Sequence, residues 1–137
     1  MKKRSFHPLG ETEMELLQHV WALKRANVAQ VHERVLQTRK IAYTTVMTVL
    51  KKLADKGYLQ YEKQGNAYIY SPAEAPDAVR SSLLSNLIDK VFNGSPVALM
   101  QTLVHREALS EEEHEAIQDL LDAMRRQNEN TPEGGDA

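Results

Sequence analysis

The chain of 137 residues contains no cysteine. That excludes disulfides, thiolate metal sites and cysteine nucleophiles at once, and it accords with a cytoplasmic protein. Aromatic residues are sparse, with one Trp, two Phe and five Tyr making up 6% of the chain. No apolar run approaches the roughly 18 residues of a membrane-spanning helix, so no membrane insertion is expected. The basic start Met1-Lys2-Lys3-Arg4 leads to Ser5-Phe6-His7-Pro8-Leu9-Gly10 rather than to an apolar signal core. Catalytic signatures are missing as well: there is no Gly-rich phosphate loop and no nucleophile motif. His7, His19, His32, His105 and His114 never stand at the i, i+4 spacing of a helical metal pair. Glu111-Glu112-Glu113 reads as charge at a helix start, favoured by the dipole, rather than as an acid–base pair. Neither an enzyme nor a cofactor or metal is expected.

What is present is an uneven charge. Residues 1–70 hold 12 Lys/Arg against 6 Asp/Glu, a balance of +6, and residues 71–137 hold 5 against 13, a balance of −8. The total of −2 conceals this division. A basic half joined to an acidic half suggests that only the first meets a polyanion; the plainer reading is a solvated surface of uneven charge.

The periodicity orders the elements. Thr12 with Glu15 is a capping pair that opens a helix whose buried stripe is Met14, Leu17, Val20, Trp21 and Leu23, with Leu16 off the stripe. Asn27 with Gln30 caps a second, shorter helix with Val28, Val31, Val35 and Leu36 as its apolar stripe. After the polar turn Gln37-Thr38-Arg39-Lys40, Ile41 and Ala42 are read as a short edge strand. A third helix, about Tyr43 to Lys56, buries Val46, Val49, Leu50 and Leu53 and stops at Gly57. Residues 58–63 and 67–71 form a Tyr-rich hairpin around Gln64-Gly65-Asn66, with Pro72 and Pro76 marking the exit. Four of the five tyrosines (58, 61, 68 and 70) fall there and are read as core and sheet packing.

Helix, helix, helix, hairpin is the layout of a winged helix-turn-helix. The fold class is therefore mainly α with a small β-hairpin: a winged helix-turn-helix at 1–72, a helical dimerisation domain at 73–126 and a disordered tail at 127–137. In that geometry the third helix enters the major groove by its N-terminal residues. Tyr43, Thr44, Thr45 and Thr48 are placed for base and phosphate contacts, since a threonine hydroxyl donates or accepts and its methyl can touch thymine. Lys51, Lys52, Arg39 and Lys40 suit phosphates, and the wing tip from Lys63 to Asn66 suits the backbone beside the groove. Polar residues opposite an apolar stripe are also what any surface helix shows. A winged-helix module that binds protein instead of nucleic acid is the alternative; the basic half argues against it.

The C-terminal half carries Leu83, Leu84, Leu87, Ile88, Val91, Phe92, Leu99, Leu103, Ile117, Leu120, Leu121 and Met124 at helical spacing. That is more apolar surface than a short helix pair shields. Pairing two copies would bury it, and so would folding back on the chain's own winged helix. A homodimer is expected, matched to double-stranded DNA with an inverted-repeat operator.

These motifs carry a resemblance. Leu9-Gly10-Glu11-Thr12-Glu13-Met14-Glu15-Leu16-Leu17 with Val20-Trp21, Tyr43-Thr44-Thr45-Val46-Met47-Thr48-Val49-Leu50-Lys51-Lys52-Leu53, Lys56-Gly57-Tyr58-Leu59 and Tyr68-Ile69-Tyr70-Ser71-Pro72 resemble the penicillinase-repressor (BlaI/MecI/CopY) family of bacterial transcription regulators. Phe92-Asn93-Gly94-Ser95 and Leu109-Ser110-Glu111 fit as well, so the likeness spans about residues 9–126. It implies a homodimeric repressor on an inverted-repeat operator, with Thr44, Thr45 and Thr48 at DNA-facing positions. Lys51 and Lys52 follow at basic positions, and 63–66 form the wing. Two departures matter. The copper-responsive branch uses a C-terminal cysteine site, which this chain lacks. The β-lactam branch is cleaved by a membrane sensor protease at an Asn-Phe bond, where this chain has Thr102-Leu103, so inducible cleavage is not expected.

Overall fold

A computed structural model describes residues 8–105 and 109–130. The order is α1 (Glu11–Leu23), α2 (Val28–Leu36), α3 (Tyr43–Asp55), β1 (Leu59–Gln64), β2 (Ala67–Pro72), α4 (Pro76–Val91), α5 (Pro96–His105) and α6 (Glu111–Asn130). The chain divides into two compact units between Leu87 and Ile88, inside α4.

In the first unit α1 packs against α2, α3 and β2, and α3 against α1, α2 and β1. This explains two differences from the expected pattern. Leu16 is fully buried together with Leu17, Val20 and Trp21, because a helix with three neighbours buries a broad face and not a single stripe. Its start lies two residues earlier than the Thr12–Glu15 pair suggests. Gly10 is the N-cap, and its N–H donates to Glu13 Oε1 at 2.9 Å. The acidic first turn, Glu11 and Glu13, suits the dipole.

The α2 cap is reciprocal as expected: Gln30 N–H donates to Asn27 Oδ1 (2.8 Å) and Asn27 N–H to Gln30 Oε1 (2.9 Å). Val28, Val31 and Val35 are buried, whereas Leu36, a further 100° around the helix and at its open end, is exposed. Ile41 and Ala42 form no strand. It is Ala26 that pairs with the sheet, exchanging both backbone hydrogen bonds with Tyr70 at 2.8 and 2.9 Å. A single bridging residue leaves no alternation to read in the sequence.

Helix α3 ends in a Schellman motif. Gly57 has φ 91°, its N–H donates to Ala54 C=O (3.1 Å), and Tyr58 N–H donates to Leu53 C=O (3.0 Å). Tyr58 thus lies just before β1, buried in the core. The strands pair antiparallel from Leu59↔Pro72 to Gln64↔Ala67, leaving the two-residue loop Gly65-Asn66. Gly65 takes φ 62° at the first loop position, where a side chain would be strained. Val79 on α4 completes the core, and Leu83 packs against it. One turn away, the Arg80 guanidinium covers the Trp21 ring at 4.8 Å.

The second unit holds the end of α4, then α5 and α6. Asn93 (φ 51°) and Gly94 (φ 79°) reverse the chain after α4. Ser95 Oγ accepts from Ala98 N–H (3.1 Å) at the start of α5. Ser110 and Glu113 cap α6 reciprocally, with Glu113 N–H to Ser110 Oγ at 3.1 Å and Ser110 N–H to Glu113 Oε1 at 2.9 Å. Helix α6 continues through Asn130, four residues beyond the expected end at 126, because its last turns contain no Gly or Pro to stop it. Residues 131–137 of the expected tail lie outside the described residues. No residue of α5 or α6 is buried.

Candidate nucleic-acid interface

Helix α3 buries Val46, Leu50 and Leu53, packs the half-buried Val49 and Ala54 against the same core, and turns its opposite face outward. Tyr43, Thr44, Thr45, Thr48, Lys51 and Lys52 are all exposed. At 100° per residue Thr44, Thr48 and Lys51 share the centre of that face, with Tyr43 and Met47 on one flank and Thr45 and Lys52 on the other. The two lysines therefore diverge. Lys51 lines a groove of about 480 Å³ with Tyr43, Met47 and Thr48 of α3, Asn27, Val28 and Ala29 at the start of α2, and Asn66, Ala67, Tyr68 and Tyr70 of the wing. Lys52 lies nearer Glu13, whose carboxyl it helps to hold below its ordinary pKa.

The groove has a polar tip and an apolar floor. Tyr61, Tyr68 and Tyr70 form an aromatic ladder on one face of the hairpin, with ring centroids 5.0 Å (61–68) and 5.7 Å (61–70) apart. Tyr70 anchors the ladder in the core, whereas Tyr61 and Tyr68 are exposed. Lys63 is exposed at the wing tip opposite Tyr68. The expected role in sheet packing suits Tyr58 and Tyr70; Tyr68 is also part of the groove wall.

The start of α3 is set by a residue the spacing does not mark. His32 Nε2 donates to Ile41 C=O at 2.8 Å, and its ring meets the Tyr43 ring edge-on at 5.5 Å. One imidazole thus ties α2 both to the turn and to the first residue of α3. Met47 could have been found, since Tyr43, Met47 and Lys51 follow each other at i, i+4, i+8. The approach of Asn27, Val28 and Ala29 to the wing depends on the packing of α2 across α3, which no local pattern encodes.

The cations differ in how far they are committed. Among the described residues Lys40, Lys51, Lys52 and Lys63 form no ion pair. Arg39 does: its Nη2 donates to Glu15 Oε1 at 2.8 Å, and that hydrogen bond raises the guanidinium pKa. Lys56 is structural, donating from Nζ to Glu13 Oε1 (2.8 Å) and to Pro8 C=O (3.0 Å). The Glu13 carboxyl is held below its ordinary value first by the Gly10 N–H and then by Lys56.

In the C-terminal set, Leu84, Leu87, Val91, Leu120, Leu121 and Met124 are exposed in the single chain, as are Val97 and Val104 of the apolar helix α5. Ile88, Phe92, Leu99, Leu103 and Ile117 are half-buried, and Leu83 is half-buried against the first unit's own core. Among the described residues no cluster of three His, Asp or Glu side chains could hold a metal ion. Among the described residues no helix is long and apolar enough to cross a membrane.

Comparison with known proteins gives a consistent result. The family model described as penicillinase repressor matches residues 9–123. The transcriptional regulator BlaI of Mycobacterium tuberculosis (strain H37Rv) is 30% identical over 131 residues, covering 94% of each chain. The methicillin resistance regulatory protein MecI of Staphylococcus aureus (strain N315) is 23% identical over 115 residues, covering 84% of this chain and 94% of that one. A solution structure of monomeric BlaI of Bacillus licheniformis with the blaP half-operator aligns at 26% identity and TM-score 0.47, covering 57% of this chain and 93% of that one.

Proposed function

The chain belongs to the penicillinase repressor family, and from that premise we propose that it works as a homodimer, each winged helix reading one half of an inverted-repeat operator. Its activity is that of a DNA-binding transcriptional repressor, a non-enzymatic role. The observation that carries the reading is the outward face of α3, where Thr44, Thr48 and Lys51 stand together beside the wing. Thr44, Thr45 and Thr48 contact base edges and flanking phosphates, and Tyr43 borders them at the helix start. Lys40, Lys51, Lys52 and Lys63 neutralise phosphates, with Asn66 at the wing tip. Arg39 serves the same strand through the turn before α3.

The dimer rests on the C-terminal unit. Leu120 and Met124 are 64% and 59% exposed on one stripe of α6, and Val91 is 60% exposed on α4. A second copy covering these residues removes apolar surface from water at about 25 cal/mol per Å². The site of action is the cytoplasm, where the operator is. Release by a membrane sensor protease is not part of this proposal, because Thr102-Leu103 replaces the Asn-Phe bond.

Selection of genomic fragments by the purified protein at about 0.15 M salt, with molar mass read in parallel, tests both parts. A dimer that enriches one inverted repeat is the expected result. Failure to retain DNA even at low salt would sink the operator reading and leave a protein-binding winged helix.

A further inference from the structure

Arg39 stands in the connection between α2 and α3, four residues before the helix that reads DNA in the function proposed above. It is held along one edge only. Its Nε donates to both carboxylate oxygens of Glu15, at 3.2 and 3.4 Å, and Nη2 donates to Glu15 Oε1 at 2.8 Å and to Thr12 Oγ1 at 3.4 Å. Among the described residues the two N–H groups of Nη1 have no such bond, and the side chain is 44% exposed. Glu15 itself, on α1, is only 28% exposed and is fixed by the helix that anchors the core. The guanidinium is therefore a fork gripped from behind.

Two effects of the carboxylate oppose each other at a phosphate. It lowers the net positive charge that the phosphate meets, and it removes the rotamer freedom that a long side chain must otherwise lose on binding. The negative charge lies behind the guanidinium, farther from any phosphate at the Nη1 edge than the cation is, and solvent screens it at this half-exposed site. The ordering cost is the larger of the two, because Arg is among the side chains with the most rotamer freedom to lose. We propose that Glu15 is a positioning residue for operator binding: it presets Arg39 so that the free Nη1 edge grips a backbone phosphate beside α3. The inference rests on the DNA-binding reading and adds α1 to the elements that serve it.

The test is a double-mutant cycle on the full-length protein, titrated against the duplex enriched in the selection described above. Glu15→Ala should weaken binding about fivefold, the ordering cost of one long side chain at an interface. Arg39→Ala should weaken it and reduce the slope of log K against log salt by about 0.9, one phosphate contact. In the Arg39→Ala background, Glu15→Ala should have no further effect, which a general loss of structure could not mimic. Glu15→Gln, which keeps an acceptor oxygen, should restore part of the loss. Tighter binding by Glu15→Ala would mean that Glu15 withholds the cation, and it overturns the proposal. Unchanged binding, or an equal loss without Arg39, overturns it too. If the wild-type chain retains no DNA, the operator reading itself has failed; if it binds and Glu15→Ala changes nothing, only the positioning role has.

Discussion

The two units of this chain are built from equally good local signals and end in opposite states. Asn27–Gln30 at the start of α2 and Ser110–Glu113 at the start of α6 are the same reciprocal cap, with hydrogen bonds of 2.8 to 3.1 Å. Yet among the described residues every buried hydrophobic one lies between Leu16 and Val79, and α5 and α6 have none. Capping and periodicity decide where a helix forms; they do not decide what covers it. Isolated helices of this length are marginal in water, so an amphipathic helix with no buried residue needs another surface. The first unit finds that surface inside one chain. In the dimer proposed above a second copy supplies it for the second unit, and dimerisation and folding of that region would then be one equilibrium.

The largest test of this contrast is a leucine truncation in each unit. Leu50→Ala empties a fully buried site on α3 and should cost about 2–5 kcal/mol in urea unfolding. Leu120→Ala, at 64% exposure, should change the stability of the dilute monomer by less than about 0.5 kcal/mol. Similar losses at the two positions would erase the distinction between a finished and an unfinished core.

Next in size is a disruption aimed at the second unit alone. Leu120→Asp with Leu121→Asp puts two charges into a face meant to be covered. The expected outcome is a monomer by molar mass. Affinity for the full inverted repeat should be lower by about a hundredfold, the loss of linked binding to two half-sites, with half-site affinity unchanged. A dimer that survives both aspartates would show that the contact lies elsewhere.

The same contrast explains what was legible before any coordinates. Sequence-local features were readable: the α2 cap, the acidic start of α6, the Gly57 stop, the turn around Gly65-Asn66, and the i, i+3, i+4, i+7 stripe of α3. Features set by tertiary packing were not. Leu16 looks misplaced until α1 is seen to have three neighbours. Ala26 gives no sign that it pairs with Tyr70, and His32 none that it holds both Ile41 and Tyr43. The outward face of α3 was legible as a set, because residue type and helical angle suffice. The commitment of Arg39 to Glu15, 24 residues away, was not.

A smaller effect separates function from stability within the first unit. Lys51→Ala should lower the salt slope of DNA binding by about 0.9 and leave molar mass and unfolding unchanged, because Lys51 forms no ion pair. Lys52→Ala should in addition relieve part of the pull on Glu13 and so reduce stability at neutral pH slightly. Identical behaviour of the two variants would contradict their divergence on α3.

The smallest expected effect is a pH dependence within the first unit. His19 on α1 accepts a hydrogen bond at Nδ1 from Arg34 Nε on α2 (3.1 Å), so the neutral ring carries its proton on Nε2. Burial, and then the Arg34 charge, lower its pKa from the ordinary 6.5, against an opposing pull from Glu15. Between the lowered folded value and the unfolded one, the unfolded chain binds more protons, so stability rises with pH. This contribution is complete above about 6.5 and is lost as pH falls through the unfolded value toward the folded one. Solvent at this half-buried ring keeps it below about 1 kcal/mol. Glu13, whose pKa is lowered from 4.5, loses its contribution in a separate and more acidic window as its contacts with Gly10 and Lys56 are protonated away. Urea unfolding of the wild-type chain and of His19→Gln at pH 7.5 and about pH 5.5 isolates the histidine. The wild-type chain should lose more stability across that interval than the variant; equal losses would mean that the Arg34–His19 bond does not couple α1 and α2 to pH.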